Sequence, residues 1–107
     1  VAVESVFMHK NASSALKLGH ARSAALCATF GHEVEVFEYA PREIKQAVVG
    51  TCAATKEQVQ HMLVSILQLD GTPAPDAADA LAAALCNGHQ QRVHAQLGTG
   101  KRIAGLR

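Results

Sequence analysis

Residues 75–81 read Pro-Asp-Ala-Ala-Asp-Ala-Leu, which is the start of an alanine-rich predicted helix. Asp76 and Asp79 are three residues apart, so their carboxylates point to the same side of that helix. Carboxylate oxygens are ligands that divalent cations prefer. Acidic residues are equally typical of a first helical turn without metal, because they satisfy free N–H groups and match the helix dipole. The stretch predicts a helix start and leaves a metal site as a second interpretation.

The composition fits one small domain or part of one. The chain has 107 residues, is 49% hydrophobic, and contains only three Phe and one Tyr, so Ala, Leu and Val must fill the core. A net charge of +1 is too small to indicate a nucleic-acid partner by itself. The charge is uneven, however, because no acidic residue follows Asp79. We expect residues 91–107 to form a basic, flexible tail.

The cysteines and the hydropathy pattern narrow the class of protein. Three cysteines without a CxxC pair argue against a disulfide framework or a zinc module and favour a reduced, cytoplasmic setting. Cys27 and Cys86 lie in apolar helical patterns and are expected to fill the core. The six histidines form no ligand-spaced cluster. No run has the length of a membrane span and no signal peptide is visible, so no membrane partner is expected.

The first seven residues are rich in β-branched and apolar side chains and predict a strand. Glu4 lies in its middle, and a charged residue seldom occupies a buried strand unless it is paired or binds metal. An edge strand with Glu4 facing water is the equal alternative. Because the chain lacks an initial Met and opens directly in a strand, we expect its true N-terminus to be missing.

Residues from about 13 to 30 predict a long helix, with Asn11 or Ser13 as N-cap and Gly31 as the stop. Small residues recur along it at steps of three or four and would let another backbone approach closely. Two interpretations stay open: packing of this helix on a sheet, or pairing of two copies across a dimer interface.

The remaining elements come in order along the chain. Residues 33–39 predict a strand, and residues 42–49 a short helix that starts after Pro41 and ends at Gly50. Residues 56–69 predict an amphipathic helix. The last helix is expected from about residue 76 to about residue 90, with a weak point at residues 87–88. A long helix between two strands indicates a parallel pair. Two strands alone make no stable sheet, so further strands are expected before residue 1.

Six blocks of the sequence, taken in order, carry a resemblance. They are VESVF at 3–7; KN at 10–11 with SALKLG at 14–19 and AR at 21–22; VFEYAPR at 36–42; IKQ at 44–46 with VVG at 48–50; KEQVQHM at 56–62; and DAADAL at 76–81. Together they resemble the RuvC family of Holliday junction resolvases, the crossover junction endodeoxyribonucleases, over roughly residues 1–90. Each block alone is weak, but six in register are specific.

The resemblance implies an α/β, ribonuclease H-like fold, here truncated to two strands and the helices that follow them. Residues 1–90 would then form the C-terminal two-thirds of a nuclease domain. It further implies a homodimer built through the long helix, and cleavage of four-way junction DNA in recombination and repair. The expected cofactor is Mg²⁺, two ions per active site, with Mn²⁺ as an alternative ion. A complex with a branch-migration helicase is a further expected partner.

The resemblance also assigns residues. Glu4 matches the family acid on the fourth strand, and Asp76 and Asp79 match the acidic pair on the last helix. These three are the expected catalytic and metal-binding residues, and carboxylates that hold two metals suit phosphodiester hydrolysis.

Three other positions match family residues that contact DNA. Phe7 matches an aromatic that works near the junction bases, where a ring can stack on an unpaired base. Lys45 and Lys56 match basic residues that would bind phosphates. The family's remaining acid lies in a Gly-Ile-Asp-Pro-Gly-like segment that is not found in this sequence. We therefore expect the full-length protein to resolve junctions and this chain alone not to cut.

Two alternatives to a nuclease remain open on the sequence. A branched-DNA binding module without catalysis would bind a junction in the absence of metal and never nick it. A small helical interaction protein, in which the acids merely cap a helix, would show no preference for junctions over duplex DNA. In that case Asp76→Asn or Glu4→Gln would not change divalent metal binding.

Overall fold

The computed structural model describes residues 1–5 and 11–97. Within these ranges two short strands and four helices occur in the order that the sequence predicts. They are β1 (Ala2–Glu4), α1 (Ala12–Cys27), β2 (Phe37–Tyr39), α2 (Pro41–Val49), α3 (Lys56–Leu67) and α4 (Pro75–Leu97).

The two strands pair in parallel, as predicted, with Glu4 opposite Tyr39. The ladder continues at one end, where the Ser5 N–H donates to the Tyr39 carbonyl at 2.8 Å. β2 is shorter than predicted, because it comprises only Phe37–Tyr39 and residues 33–36 form no strand. These residues contact β1 through Val1. The N-terminal ammonium of Val1 donates to the Glu35 carbonyl at 2.8 Å. The predicted continuation of β1 to residue 7 lies outside the described residues.

Local capping sets the ends of the two middle helices. α2 begins at Pro41, whose missing N–H costs nothing there, and ends at Gly50, whose φ of 93° is the left-handed conformation that glycine adopts freely. α3 begins after Thr55, whose hydroxyl accepts from the Gln58 N–H at 3.2 Å while the Gln58 side chain accepts from the Thr55 N–H at 2.8 Å. α3 ends before Gln68, which is left-handed at φ 53°.

α4 is longer than the sequence predicts. It continues past Gly88 to Leu97, so the weak point expected at residues 87–88 does not interrupt it. Asn87 helps to hold this part of the helix, because its side-chain oxygen accepts a 2.7 Å hydrogen bond from the Tyr39 hydroxyl. The expected tail therefore begins with seven helical residues, and the rest of it lies outside the described residues.

The core forms where α2, α3 and α4 pack together beside β2. Its buried residues are Phe37, Tyr39, Ile44, Val48, Ala54, Val59, Leu63, Ala78, Ala82, Ala83 and Cys86. Small alanines on α4 let the helices approach closely, as the composition requires.

α1 contributes far less to burial. Leu26 is its one buried residue, and the ion pair between Arg22 and Glu38 at 2.9 Å joins it to β2. The prediction that Cys27 fills the core is wrong, because Cys27 is exposed, whereas the same prediction for Cys86 is confirmed. In the described part of the chain, no helix has both the length and the apolar character needed to cross a membrane.

Candidate active site

A pocket of about 350 Å³ opens between the end of β1 and the three packed helices. Its charged residues come from four separate elements. They are Glu4 from β1, Lys45 from α2, Lys56 and Glu57 from α3, and Asp79 from α4. The uncharged lining is Pro41, Ile44, Val59, Gln60, Pro75, Ala78 and Ala82. Four of the predicted site residues therefore line one pocket although they are far apart in sequence. They are Glu4, Lys45, Lys56 and Asp79.

Glu4 is placed at the pocket by the end of the β1–β2 ladder, where it lies opposite Tyr39. Partial burial against the pocket wall and the negative charge of Asp79 raise the pKa of the Glu4 carboxyl above its ordinary value of 4.5. The positive charges of Lys45 and Lys56 oppose that rise and lower the pKa. The pKa of Glu4 therefore depends on the charges of Asp79, Lys45 and Lys56.

Asp79 reaches the pocket because its neighbour on α4 anchors the helix. Ala78, directly before it, is buried and also lines the pocket. Asp76 lies one turn earlier, in the first turn of α4, where it is exposed and does not line the pocket. Asp79 therefore faces Glu4 in the pocket. Asp76 instead occupies the position that an acidic residue takes at a helix start without a metal.

The two lysines reach the pocket from neighbouring helices. Lys45 follows Ile44, whose buried side chain fixes that face of α2. Lys56 is the first residue of α3, just after the Thr55 cap. Because α2 and α3 both pack against α4, their lysines flank the carboxylates and do not project away from them.

The donor set fits a hard divalent cation. Glu4, Glu57 and Asp79 bring three carboxylates to the pocket, against two lysine ammonium groups, so the lining is short of positive charge. Among residues 1–5 and 11–97, no three His, Cys, Asp or Glu side chains lie close enough together to hold one ion. Mg²⁺ usually needs fewer protein ligands, since one or two carboxylates with water and substrate phosphate complete its shell. Glu4 and Asp79 provide such a pair.

Two lining residues were missed by the sequence interpretation. Glu57 and Gln60 belong to the amphipathic helix predicted at residues 56–69, and the sequence predicts no functional role for either. Gln60 lies four residues after Lys56 and thus on the same side of α3, which is the signal that could have identified it. The predicted DNA-contacting residue Phe7 lies outside the described residues.

Sequence comparisons identify a family profile that matches this chain and named proteins that are similar to it. The family profile described as "Crossover junction endodeoxyribonuclease RuvC" matches residues 1–87. A protein of that name from Chromohalobacter salexigens is 62% identical over 92 residues, covering 86% of this chain and 50% of that protein. One from Bordetella petrii is 52% identical over 105 residues, covering 98% of this chain and 58% of that protein. The chain thus spans about half the length of the curated relatives it matches.

Comparison with solved structures gives the same result. The chain is similar to Thermus thermophilus RuvC, with a TM-score of 0.75 and 40% sequence identity. It is also similar to the Thermus thermophilus RuvC that was solved "in complex with Holliday junction substrate", with a TM-score of 0.80. Each match covers 95% of this chain and 60% of the other. At 40% identity these likenesses confirm the α/β, ribonuclease H-like fold that the resemblance implies, of which the described residues form two strands and four helices.

Proposed function

The chain belongs to the RuvC family of crossover junction endodeoxyribonucleases, and on that premise we propose that it is part of a structure-specific nuclease. The whole protein would resolve four-way DNA junctions by metal-dependent phosphodiester hydrolysis, in the cytoplasm, during recombination and repair. The observation that carries this proposal is the pocket in which Glu4 and Asp79 face Lys45 and Lys56. Carboxylates for a cation beside ammonium groups for phosphate suit a reaction on a phosphodiester.

The residues of the pocket divide the chemistry between them. Mg²⁺, when bound, supplies a water activated for attack and stabilises charge on the leaving oxygen. Glu4 and Asp79 would hold it through their carboxylate oxygens. Lys45 and Lys56 would bind non-bridging phosphate oxygens and place the scissile bond over the carboxylates. Mn²⁺ would serve as an alternative ion.

Asp76 and Phe7 complete the proposed machinery on the strength of the family resemblance. Asp76 lies one helical turn from Asp79 and does not line the pocket, and it would be a third metal ligand as the family resemblance implies. Phe7 would stack on a base at the branch point. Two ions per site would require the further family acid, for which this sequence has no match.

The homodimer is proposed on the exposure of α1. Leu16, Leu18 and Phe30 are 61%, 56% and 57% exposed, and two of these lie within a 16-residue helix that packs little against its own chain. A second copy would cover this apolar surface and set two pockets on one four-way junction. A branch-migration helicase is the further partner that the family resemblance implies.

A chimera tests the proposed activity. Joining the unmatched half of the Chromohalobacter protein to this chain should give Mg²⁺-dependent, symmetric nicking of a synthetic four-way junction. The 107-residue chain alone should bind the junction without cutting it, since it carries three of the four expected carboxylates. The matched control is the chimera with Asp79→Asn, which should keep its affinity for the junction and lose cleavage.

Three results would contradict parts of this proposal. Cleavage by the 107-residue chain at the rate of the chimera would show that the fourth acid is not needed. Junction binding by a chimera that never nicks at any Mg²⁺ concentration would identify a branched-DNA binding module instead. Equal affinity for junction and duplex DNA would point to a helical interaction protein.

A further inference from the structure

Gln60 connects the pocket to the loop that leads into α4. Its side chain is half-buried on α3 and lines the same pocket as Glu4 and Asp79. The Gln60 Nε2 group donates a hydrogen bond of 3.1 Å to the carbonyl oxygen of Pro73. The proposed chemistry of the pocket makes no use of this amide.

The loop at residues 70–74 has few backbone hydrogen-bond donors near its end that could fix it to the rest of the chain. Pro73 and Pro75 both lack an N–H group, so the backbone between them can donate little to other parts of the chain. A carbonyl oxygen that is partly buried needs a donor, and a side chain is the available source when the backbone cannot supply one. Gln60 supplies it to Pro73.

This hydrogen bond lies directly before the first turn of α4. That turn closes when the Ala78 N–H donates to the Ala74 carbonyl at 2.8 Å. Pro73 directly precedes that acceptor, and Asp79 comes directly after that donor. A shift of the loop would therefore be transmitted to the turn that carries both acids of α4.

α3 brings a lysine and this amide to the pocket together. Lys56 and Gln60 are four residues apart and lie on one side of the helix. The Thr55 cap and the buried Val59 fix that side against the core. The amide thus projects from a firmly held helix toward a loop that is held less firmly.

We propose that Gln60 is a positioning residue that fixes the first turn of α4 against α3, so that Asp79 faces Glu4 across the pocket. The inference rests on the proposed function, because it gives Gln60 a role in preparing the carboxylates for a divalent cation. Gln60 acts through the loop and not on the substrate.

The test compares Gln60→Met with the matched control Gln46→Met in the 107-residue chain. Methionine has nearly the size of glutamine and cannot donate the bond, while Gln46 is exposed on α2 and does not line the pocket. Amide hydrogen exchange reports on residues 76–80 without any metal. Titration with Mn²⁺ alone, followed by paramagnetic relaxation of water, reports on the carboxylates. Thermal unfolding shows whether either variant loses its fold.

In Gln60→Met we expect exchange at residues 76–80 to accelerate about three- to tenfold, which corresponds to the loss of one hydrogen bond. Mn²⁺ affinity should fall by a similar factor, while exchange in the middle of α3 and in the Gln46→Met chain stays unchanged. Unchanged exchange at residues 76–80 would overturn the inference, and so would faster exchange with unaltered Mn²⁺ affinity. A wild-type chain that binds no Mn²⁺ would contradict the proposed function instead, and exchange would still decide whether Gln60 holds the turn.

Discussion

α1 and the α2–α3–α4 body are both helical and both rich in Ala and Leu, yet they differ sharply in burial. Every residue of the buried cluster lies at or after Phe37, and Leu63 in its centre has no exposed surface. α1 buries Leu26 alone and leaves Leu18 56% exposed. The difference shows that apolar residues at helical spacing predict a helix but do not identify what the helix packs against.

The two regions also differ in what stabilises their helices. In the body, tertiary packing holds each helix, and the caps add to it. In α1, a 16-residue helix depends mainly on its own hydrogen bonds, its Asn11 cap and one ion pair to β2. An isolated helix of that length is marginal in water, so α1 should respond to mutation differently from the body.

The largest expected difference comes from truncating one leucine in each region. Leu63→Ala should lower the free energy of unfolding by about 2–5 kcal/mol, because it opens a cavity in the packed cluster. Leu18→Ala should cost less than about 0.5 kcal/mol at concentrations where the chain is monomeric. Urea unfolding of both variants measures the two values. Equal losses would mean that α1 packs on its own chain after all.

Removing the Tyr39 hydroxyl tests how strongly the body depends on its buried polar contact. Tyr39→Phe should cost about 1–2 kcal/mol, since Asn87 loses a 2.7 Å hydrogen bond in a partly buried position. Gln91 lies 3.5 Å from the same Asn87 oxygen and can compensate in part. Thermal unfolding together with hydrogen exchange at residues 87–97 measures the effect. Unchanged exchange there would show that this bond does not anchor the second half of α4.

The two N-caps give a matched pair of smaller changes. Thr55→Ala and Asn11→Ala each remove a side-chain acceptor at a helix start, which typically costs about 1 kcal/mol. Thr55→Ala should shift the global unfolding transition, because α3 is part of the body. Asn11→Ala should instead fray α1, seen as lower helicity by circular dichroism with little change in the transition midpoint. A global shift of the same size in both variants would remove the distinction.

The smallest expected effect is a pH dependence at Glu4. Its pKa is raised in the folded chain, so the folded state binds this proton more tightly than the unfolded state does. The stability that protonated Glu4 contributes is therefore lost as the pH rises from about 4.5 through the folded pKa. Relative to wild type, Glu4→Gln should gain stability as the pH rises through that window. Thermal midpoints of both chains from about pH 4 to about pH 7 measure it, and a constant difference would contradict the raised pKa.

Local signals allowed much of the fold to be predicted. Pro41 and Gly50 bound α2 because each has a backbone preference that few other residues share. The order of elements and the parallel strand pair could be predicted from the hydrophobic period and from the length of the connection. The predicted end of α4 was wrong because Gly88 is unfavourable in isolation, whereas contacts such as the Tyr39–Asn87 bond come from distant sequence.

The candidate site was only partly predictable for the same reason. Glu4, Lys45, Lys56 and Asp79 were named from a resemblance, and their meeting in one pocket results from the packing of four elements. Glu57 and Gln60 had no predicted role, although the spacing of Gln60 from Lys56 places both on one side of α3, and the packing brings them to the pocket. Cys27 was placed in the core because its helical pattern could not show that α1 would remain uncovered.

The parallel pairing of β1 with β2 has a consequence for the order of folding. Ala2 pairs with Phe37, so the loop that closes when the first bond of the ladder forms contains the whole of α1. In contrast, α2, α3 and α4 are joined by short connections. Closing long loops costs entropy that local contacts do not incur, and it slows the steps that depend on it. We therefore expect the lysines and Asp79 to assemble early and Glu4 to arrive last. The pocket would reach its full charge set only in the final kinetic phase of refolding.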